Sequence, residues 1–193
     1  MRRFLTSIIV AALSLLALSF VGCSKPKSVD EQLDFRLCKG GESYYVAGAG
    51  KAAGSEIVIP AEYNGKPVVG VGGKSFKDNK NITAVAIPSS VEWVEIAAFQ
   101  NCTALKRVEW NAVNARTNES EEEYQNRVFL GCENVEEFII GDGVESIPGG
   151  LFAYSGGSKI SEIALPESLK KVTASTFSSV NRIDIKVADL GKW

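Results

Sequence analysis

The sequence contains no histidine among its 193 residues. Histidine is the most frequent general base, the usual partner of a serine nucleophile and the most frequent zinc ligand. Without it, catalysis would have to use carboxylates, lysines or tyrosines. A glycosidase needs two carboxylates that face each other across a cleft, and the adjacent acids at residues 121–123 do not meet that requirement. We therefore predict that the protein is not an enzyme.

Motifs that bind ions and phosphates are also missing. The four cysteines lack the clustered spacing of a zinc site. The acidic run at residues 119–123 lacks the Asp-x-Asp-x-Asp-Gly pattern of a calcium loop. The glycine-rich residues 70–73 are followed by Lys74 and Ser75, but Val68 stands where a phosphate loop has its first glycine, so a repeat turn explains this stretch better. With 21 basic and 23 acidic residues, the chain has no basic excess for nucleic acid. We predict no cofactor, no metal and no nucleic-acid partner.

The first 22 residues have the features of a secretory signal peptide. Arg2 and Arg3 precede an apolar stretch over residues 8–21, which is too short for a membrane-spanning helix and lies close to a small-residue cleavage site. Residues 18–23, Leu-Ser-Phe-Val-Gly-Cys, resemble a bacterial lipobox, although Phe20 stands where leucine is most common. The resemblance implies that Cys23 is acylated and holds the mature protein at a membrane. The alternative is an ordinary secretory signal in which Cys23 is incidental.

Residues 23–33 would then comprise the lipidated cysteine and a polar, proline-containing tether. Ser24 follows Cys23. In bacterial lipoproteins an aspartate at that position signals retention at the inner membrane, so serine implies the outer membrane. We expect an outer-membrane lipoprotein of the cell envelope, displayed at the cell surface. A periplasmic orientation is the alternative.

A repeated pattern accounts for most of the remaining chain. Each copy has an apolar residue and, three residues later, an apolar-x-apolar step, and each follows a phenylalanine. The phenylalanines are 23, 30, 23 and 25 residues apart, a period that indicates a solenoid. The steps predict short strands that align into a parallel sheet, with the phenylalanines as the inner spine of the core. The copies are Phe76 with Ile82-Val85-Ile87, Phe99 with Leu105-Val108-Trp110, Phe129 with Val135-Phe138-Ile140, Phe152 with Ile160-Ile163-Leu165, and Phe177 with Val180-Ile183-Ile185.

Three segments carry a family resemblance. Residues 98–105 (Ala-Phe-Gln-Asn-Cys-Thr-Ala-Leu), 86–91 (Ala-Ile-Pro-Ser-Ser-Val) and 63–68 (Tyr-Asn-Gly-Lys-Pro-Val) resemble the BspA-type leucine-rich repeat of bacterial surface proteins. The resemblance covers about residues 34–187 and implies a leucine-rich-repeat solenoid with about five repeats of 23 residues. It also implies a cell-surface setting and attachment to host or neighbouring-cell proteins. Such repeats serve different partners, so the ligand itself is not implied.

We expect three parts in the folded region. An N-terminal cap and first strand occupy residues 34–67, the repeats occupy residues 68–187, and a short C-terminal end occupies residues 188–193. Residues 34–46 predict a β-hairpin around Gly40 and Gly41, and residues 56–60 predict the first solenoid strand. At the other end, residues 187–193 either fold back with Leu190 and Trp193 as a lid, or leave a surface through which the protein oligomerises.

Two cysteines share one position in the repeat. Cys102 and Cys132 each lie three residues after a phenylalanine, and Asn79 has the same offset from Phe76. Leucine-rich repeats commonly place Asn or Cys at a buried turn, which predicts buried thiols. The alternative is a disulfide between Cys102 and Cys132 on adjacent turns. Cys38 has no evident partner.

The outward residues of the predicted strands form two columns on the sheet. Solenoid surfaces of this kind bind partners, so we predict recognition of a protein or glycoprotein at this face. The alternative is that mixed charges only keep an exposed sheet soluble. The alignment places Arg182 beside Glu162 and Asp184 beside Ala164. The candidate contact residues are Arg107, Glu109, Glu137, Ile139, Glu162, Arg182 and Asp184.

The longest interval between phenylalanines contains an insertion. About seven extra residues fall within residues 114–123, and they cannot enter the stacked core without breaking its register. We therefore predict an outward loop there, with Arg116, Asn118 and Glu121 as candidate contact residues. A plain solvated loop is the alternative.

Two tryptophans bear on the alternatives for function. Trp110 falls on an inward strand position, which predicts a core residue, whereas Trp93 has no place assigned by the repeat. An exposed Trp93 would favour a glycan-binding module. The remaining alternative is a non-adhesive structural subunit of an outer-membrane assembly.

Overall fold

The computed structural model describes residues 33–51, 55–117, 127–152, 159–172, 176–177 and 184–187. The signal peptide, Cys23 and the tether predicted above lie outside these residues. No helix that could cross a membrane is found in the described ranges. Their regular structure consists of β1 (Asp34–Leu37), β2 (Tyr44–Gly48), β3 (Glu56–Val58), β4 (Glu62–Tyr63), β5 (Lys66–Val71), β6 (Ala84–Ile87), β7 (Trp93–Val94), β8 (Arg107–Trp110), β9 (Arg116–Thr117), β10 (Glu137–Ile140), β11 (Ser146–Ile147), β12 (Glu162–Leu165), β13 (Lys171–Val172) and β14 (Asp184–Val187).

The chain forms a β-solenoid of about five turns, as the repeat predicts. The apolar-x-apolar steps form the first sheet, in which β3, β6, β8 and β10 are parallel neighbours and β12 pairs with β14. The apolar residue of each step points inward because side chains alternate along a strand, and Val85, Val108, Phe138 and Ile163 are buried. Trp110 is fully buried at such a position, so its predicted place in the core is confirmed.

A second parallel sheet covers the opposite side of the core, and the sequence pattern did not predict it. Strands β2, β5, β7 and β9 are neighbours in this sheet, and β11 pairs with β13. These strands come from the second apolar stretch of each turn, and they bury Val46, Val71, Val94 and Ile147. Most of them are only two residues long, too short for period-two alternation to be visible in the sequence.

The phenylalanines form the predicted inner spine. Phe76, Phe99 and Phe129 are stacked with ring centroids 4.8 and 5.2 Å apart. Phe152 and Phe177 form a second stack at 5.2 Å. Between the two stacks lies Phe138, which contacts Phe129 edge-on at 5.8 Å and Phe152 edge-on at 4.6 Å. The spine is therefore continuous, but its geometry changes at Phe138.

Both ladders are interrupted near Phe138. β9 is not paired with β11, nor β10 with β12, in the described sheets. Phe138 occupies the inward position that holds Val85 and Val108 in the preceding turns. A phenyl ring needs more room than an isopropyl group, and a well-packed core accommodates added volume by shifting its backbone. The ring thus lies where the β10–β12 ladder is interrupted, but the turns remain in contact, because the Glu145 and Ser146 N–H groups donate to the Val113 carbonyl at 2.9 and 3.1 Å.

The shared cysteine position satisfies backbone groups between turns. The Cys102 Sγ–H donates to the Phe76 carbonyl and the Cys132 Sγ–H to the Phe99 carbonyl, each at 3.1 Å. Both thiols are buried and free, so the disulfide alternative is not the arrangement observed. Hydrogen bonding to Cys102 and burial raise the pKa of the Cys132 thiol. At neutral pH Cys132 is therefore protonated and poorly nucleophilic.

The N-terminal hairpin is confirmed. β1 and β2 pair antiparallel, and β2 then pairs parallel with β5, so the hairpin extends and covers the first edge of the second sheet. Gly40 and Gly41 have φ values of 112° and 78°, a conformation that favours glycine. Tyr63 stacks on Phe35 with centroids 4.0 Å apart and fixes the hairpin against the following turn.

The boundaries of the predicted insertion need correction. Arg116 does not lie in a loop: it belongs to β9 and pairs with Trp93 of β7. Ala115 is buried, so residues 114–117 complete a regular turn of the solenoid. The sequence argument placed the insertion too early because β9 has no apolar-x-apolar step. Asn118 and Glu121 lie outside the described residues.

The register predicted for the fifth repeat was wrong by two residues. Ile185 pairs with Ile163 and Val187 with Leu165, so Asp184 lies beside Glu162 and not beside Ala164. In the first three copies the first inward residue of the step lies nine positions after the phenylalanine. In the predicted alignment the first inward residue lies six positions after Phe177, whereas in the observed register it lies eight positions after Phe177. The turn needs that length of chain to cross from one sheet to the other.

We expect Phe99→Ala to destabilise the fold by about 3–5 kcal/mol, because it removes a ring that is stacked on both sides and leaves a cavity. The measurement is the free energy of unfolding in urea for the lipid-free chain. Phe177→Ala is the matched control, and it should cost less because Phe177 is only partly buried. Equal costs for the two variants would contradict a spine centred on Phe99.

Candidate recognition site

The outward face of the first sheet carries two aligned columns of side chains. In the paired strands, Glu56, Ala84, Arg107 and Glu137 are neighbours in the first column, and Val58, Ala86, Glu109 and Ile139 are neighbours in the second. The pair β12–β14 adds Glu162 beside Asp184 and Ala164 beside Lys186. We call this surface the first face; its residues are Glu56, Val58, Ala84, Ala86, Arg107, Glu109, Glu137, Ile139, Glu162, Ala164, Asp184 and Lys186.

Six of the seven predicted contact residues lie on the first face, and Arg182 lies outside the described residues. Sequence reasoning missed Lys186, because the shifted register of the fifth repeat moved it into the second column. It also missed Glu56 and Val58, although the strand that carries them was predicted. Extending the two columns backward through that strand would have found both residues.

Ion pairs fix the charged side chains of the first face. Arg107 Nη2 lies 2.6 Å from Glu109 Oε1, and Arg107 Nε lies 2.9 Å from Glu137 Oε2. Lys186 Nζ lies 2.7 Å from Glu162 Oε2 across the β12–β14 pair. Such exposed pairs contribute only about 0–1 kcal/mol each to stability. Their effect is to hold the side chains in place and to leave the face with an excess of carboxylates.

A depression lies at the N-terminal part of the first face. Ala84 and Ala86 are its floor, because the middle strand there carries only methyl groups while both neighbouring strands carry longer side chains. The cavity has a volume of about 210 Å³ and is bounded by Glu56 and Val58 on one side and by Arg107 and Glu109 on the other. Val58 is 55% exposed, so the rim includes apolar surface. The depression can accept an apolar side chain flanked by a charged group.

The second sheet presents an outward column of a different kind. Tyr45, Gly70, Trp93 and Arg116 are neighbours on successive parallel strands, and Ser146 and Lys171 are paired beyond them. We call this column the second face. Trp93 is half-buried, and its ring centroid lies 5.4 Å from that of Tyr45. The repeat assigned Trp93 no place, and the structure places it on β7.

A cleft opens on the second face where the ladder between β9 and β11 is interrupted. Its volume is about 480 Å³, and its lining includes Arg116, Lys170 and Lys171 together with polar side chains. Glu145 bridges its walls: Lys170 Nζ lies 2.7 Å from Glu145 Oε1, and Asn114 Nδ2 donates to Glu145 Oε2 at 3.3 Å. The hydrogen bonds from Lys170 and then Asn114 lower the pKa of the Glu145 carboxyl.

Groups suited to metal binding are not present in the described residues, where no three His, Cys, Asp or Glu side chains lie close enough to hold an ion.

The fold and its two faces define a class of protein: a repeat solenoid whose sheet surfaces are available for recognition.

The comparison with known families agrees with this class. The model for the BspA type leucine rich repeat region matches residues 69–189 in 6 copies. The chain belongs to the BspA-type leucine-rich repeat family. Leucine-rich repeat proteins generally bind other proteins, and the fold generally serves as a binding module rather than an enzyme.

Solved structures share the fold. The leucine-rich repeat protein TpLRR of T. pallidum has a TM-score of 0.61 and 20% identity, over 80% of this chain and 68% of that chain. A leucine-rich repeat protein from Bacteroides ovatus has a TM-score of 0.58 and 20% identity, over 80% of this chain and 39% of that chain. Among curated proteins, none matches this sequence significantly. These likenesses establish the architecture alone.

We expect Glu145 to titrate below an ordinary glutamate, and Lys170→Met to raise its pKa because the strongest hydrogen bond to the carboxylate is removed. Since the folded-state pKa is lowered, the stabilisation from this group is present above the ordinary glutamate pKa and is lost as the pH falls through the folded value. The measurement is an NMR titration of the glutamate carboxyl carbons. Lys159→Met, which removes a 3.9 Å pair with Glu136, is the control and should leave Glu145 unchanged.

Proposed function

We propose that this protein is a lipid-anchored recognition protein of the bacterial cell envelope that binds a protein or glycoprotein partner on its first face. The observation that carries the proposal is the depression over Ala84 and Ala86, because it combines an apolar floor with charged walls held by ion pairs. Interfaces gain most of their binding energy where an anchor side chain fills such a hollow and surrounding polar contacts exclude water.

The charge of the first face indicates the chemistry of the partner. Arg107 and Lys186 are both engaged by carboxylates of the same face. The acidic side chains outnumber them, so a basic partner surface would be attracted and an acidic one repelled. We therefore propose a partner segment that places one apolar side chain in the depression and basic side chains along the columns. The acidic residues are Glu56, Glu109, Glu137, Glu162 and Asp184.

The envelope setting is proposed from the N-terminal sequence. The lipobox-like residues 18–23 support acylation of Cys23, and Ser24 supports sorting to the outer membrane. Two acyl chains suffice for stable membrane attachment. Adhesion to a host or neighbouring cell requires that the first face lies outside the cell.

A structural role in an envelope assembly is the second candidate. Ile185 of β14 is 44% exposed although its partner Ile163 is buried, so the end of the described stack presents apolar surface. Docking or oligomerisation through this end would cover Ile185 and would not involve the depression.

We expect Cys23→Ala to release the protein from the membrane fraction, and the unaltered protein to be digested by protease added to intact cells. The first result follows from loss of the acylation site and the second from display at the surface. Protection until the outer membrane is opened would contradict adhesion and indicate a periplasmic partner. A periplasmic protein released by osmotic shock is the control for membrane integrity.

We expect Ala86→Arg to weaken attachment to partner cells at least tenfold, because a long side chain fills the depression. The measurement is binding of beads coated with the lipid-free chain to host or neighbouring bacterial cells. Ser89→Arg adds the same group on an exposed turn after β6 and should bind like the unaltered chain. If the Ala86→Arg beads attach as well as unaltered ones, the depression is not the binding site.

A further inference from the structure

The Trp93 ring lies directly over the backbone of Gly70. A Cβ atom built on Gly70 would lie 2.1 Å from Trp93 Cε2 and 2.2 Å from Trp93 Cζ2. Gly70 and Trp93 are register partners on β5 and β7, so the indole extends across the neighbouring strand. Any larger residue at position 70 would displace the ring. Glycine at this position therefore makes room for an aromatic platform.

The platform is partly open to solvent. Gly70 is buried beneath the indole, whereas Trp93 is only half-buried, so part of the ring remains accessible. Tyr45, also half-buried, continues the aromatic surface at a centroid distance of 5.4 Å. The packing of one face of the indole is explained by its contact with Gly70, because an aromatic ring commonly covers a glycine in a sheet. This contact does not explain why Tyr45 lies on one side of the platform and the cations Arg116 and Lys171 lie farther along the same column.

Arg116 follows Trp93 in that column and opens onto the cleft. Lys170 is paired with Glu145, but Arg116 and Lys171 have no carboxylate partner in the part of the chain that the structure describes. The cleft also presents the polar side chains of Asn114 and Ser146. The second face thus places an aromatic platform, uncompensated cations and hydrogen-bonding groups in one line.

We propose that the second face binds an acidic oligosaccharide. The apolar C–H face of one sugar ring would stack on Trp93, and a carboxylate of the adjoining sugar would pair with Arg116 and Lys171. Neighbouring strands are about 4.8 Å apart, which is comparable to the length of one sugar residue. The polar cleft supplies partners for hydroxyl groups. An acidic peptide would use the cations but does not require the flat platform that Gly70 creates.

This site is separate from the depression on the first face. The two lie on opposite sheets, and the second face carries the cations while the first carries the excess of carboxylates. Each proposal can therefore fail alone: Ala86→Arg should leave sugar binding intact, and Trp93→Ala should leave attachment through the first face intact.

The probe is hexagalacturonate, with its methyl ester as the neutral counterpart of the same length, and binding is measured by calorimetry. We expect the lipid-free chain to bind the acid at least tenfold more tightly than the ester. Arg116→Gln should remove that preference. Trp93→Ala should weaken binding at least tenfold, whereas Trp93→Phe should retain most of it because a flat ring remains.

Gly70→Ala provides the sharpest test, because it keeps Trp93 and the cations but displaces the indole. We expect it to weaken binding about as much as Trp93→Ala, with circular dichroism establishing that both variants are folded. Three results would overturn the proposal: equal binding of acid and ester, binding unaffected by Trp93→Ala in a folded chain, or a carboxylate-rich peptide such as hexaglutamate binding as tightly as the sugar.

Discussion

The structure depends on the stacking of each turn on the next. A single turn supplies two short strands, a phenylalanine and a few inward aliphatic side chains, and it can neither pair its own strands nor bury its own ring. In the stack, Phe99 lies between Phe76 and Phe129, and β8 is paired on both sides. The Cys102 and Cys132 thiols satisfy carbonyls of the preceding turn. Because these contacts repeat, they restrict the inward positions and leave the outward positions to vary.

The outward positions form two faces of different chemistry. On the first face, Arg107 and Lys186 are compensated by carboxylates, and small residues create a hollow. On the second face, Arg116 and Lys171 have no carboxylate partner in the described chain, and Arg116 lies beside Trp93. Partners of opposite charge would therefore be directed to opposite sides of one rigid stack. A protein with both faces could hold two different ligands at once without any contact between them.

The sequence predicted the first sheet and the spine because their signals are strong: five phenylalanines 23 to 30 residues apart and steps with period two. It did not predict the second sheet, since two-residue strands such as β7 and β9 carry no readable period. For the same reason Arg116 was assigned to a loop and Trp93 to no element. The register error at Asp184 arose because the apolar residues were aligned without requiring the segment after Phe177 to have its usual length. Ion pairs such as that of Arg107 with Glu137 depend on which residues are neighbours on adjacent strands. They could be predicted only where the strand register was predicted correctly.

The cleft of the second face lies in the same region of the stack as a change in the core. Phe138 stands where the earlier turns have valine, and its ring meets Phe129 and Phe152 edge-on where the other rings stack. β9 and β11 do not pair, and the cleft lies between them, although Glu145 and Ser146 still donate to the Val113 carbonyl of the preceding turn. Arg116 is the last residue of the second face before that opening, and Lys171 lies beyond it. The position of this candidate site therefore coincides with the end of the β9 ladder, while its chemistry is set by the outward side chains.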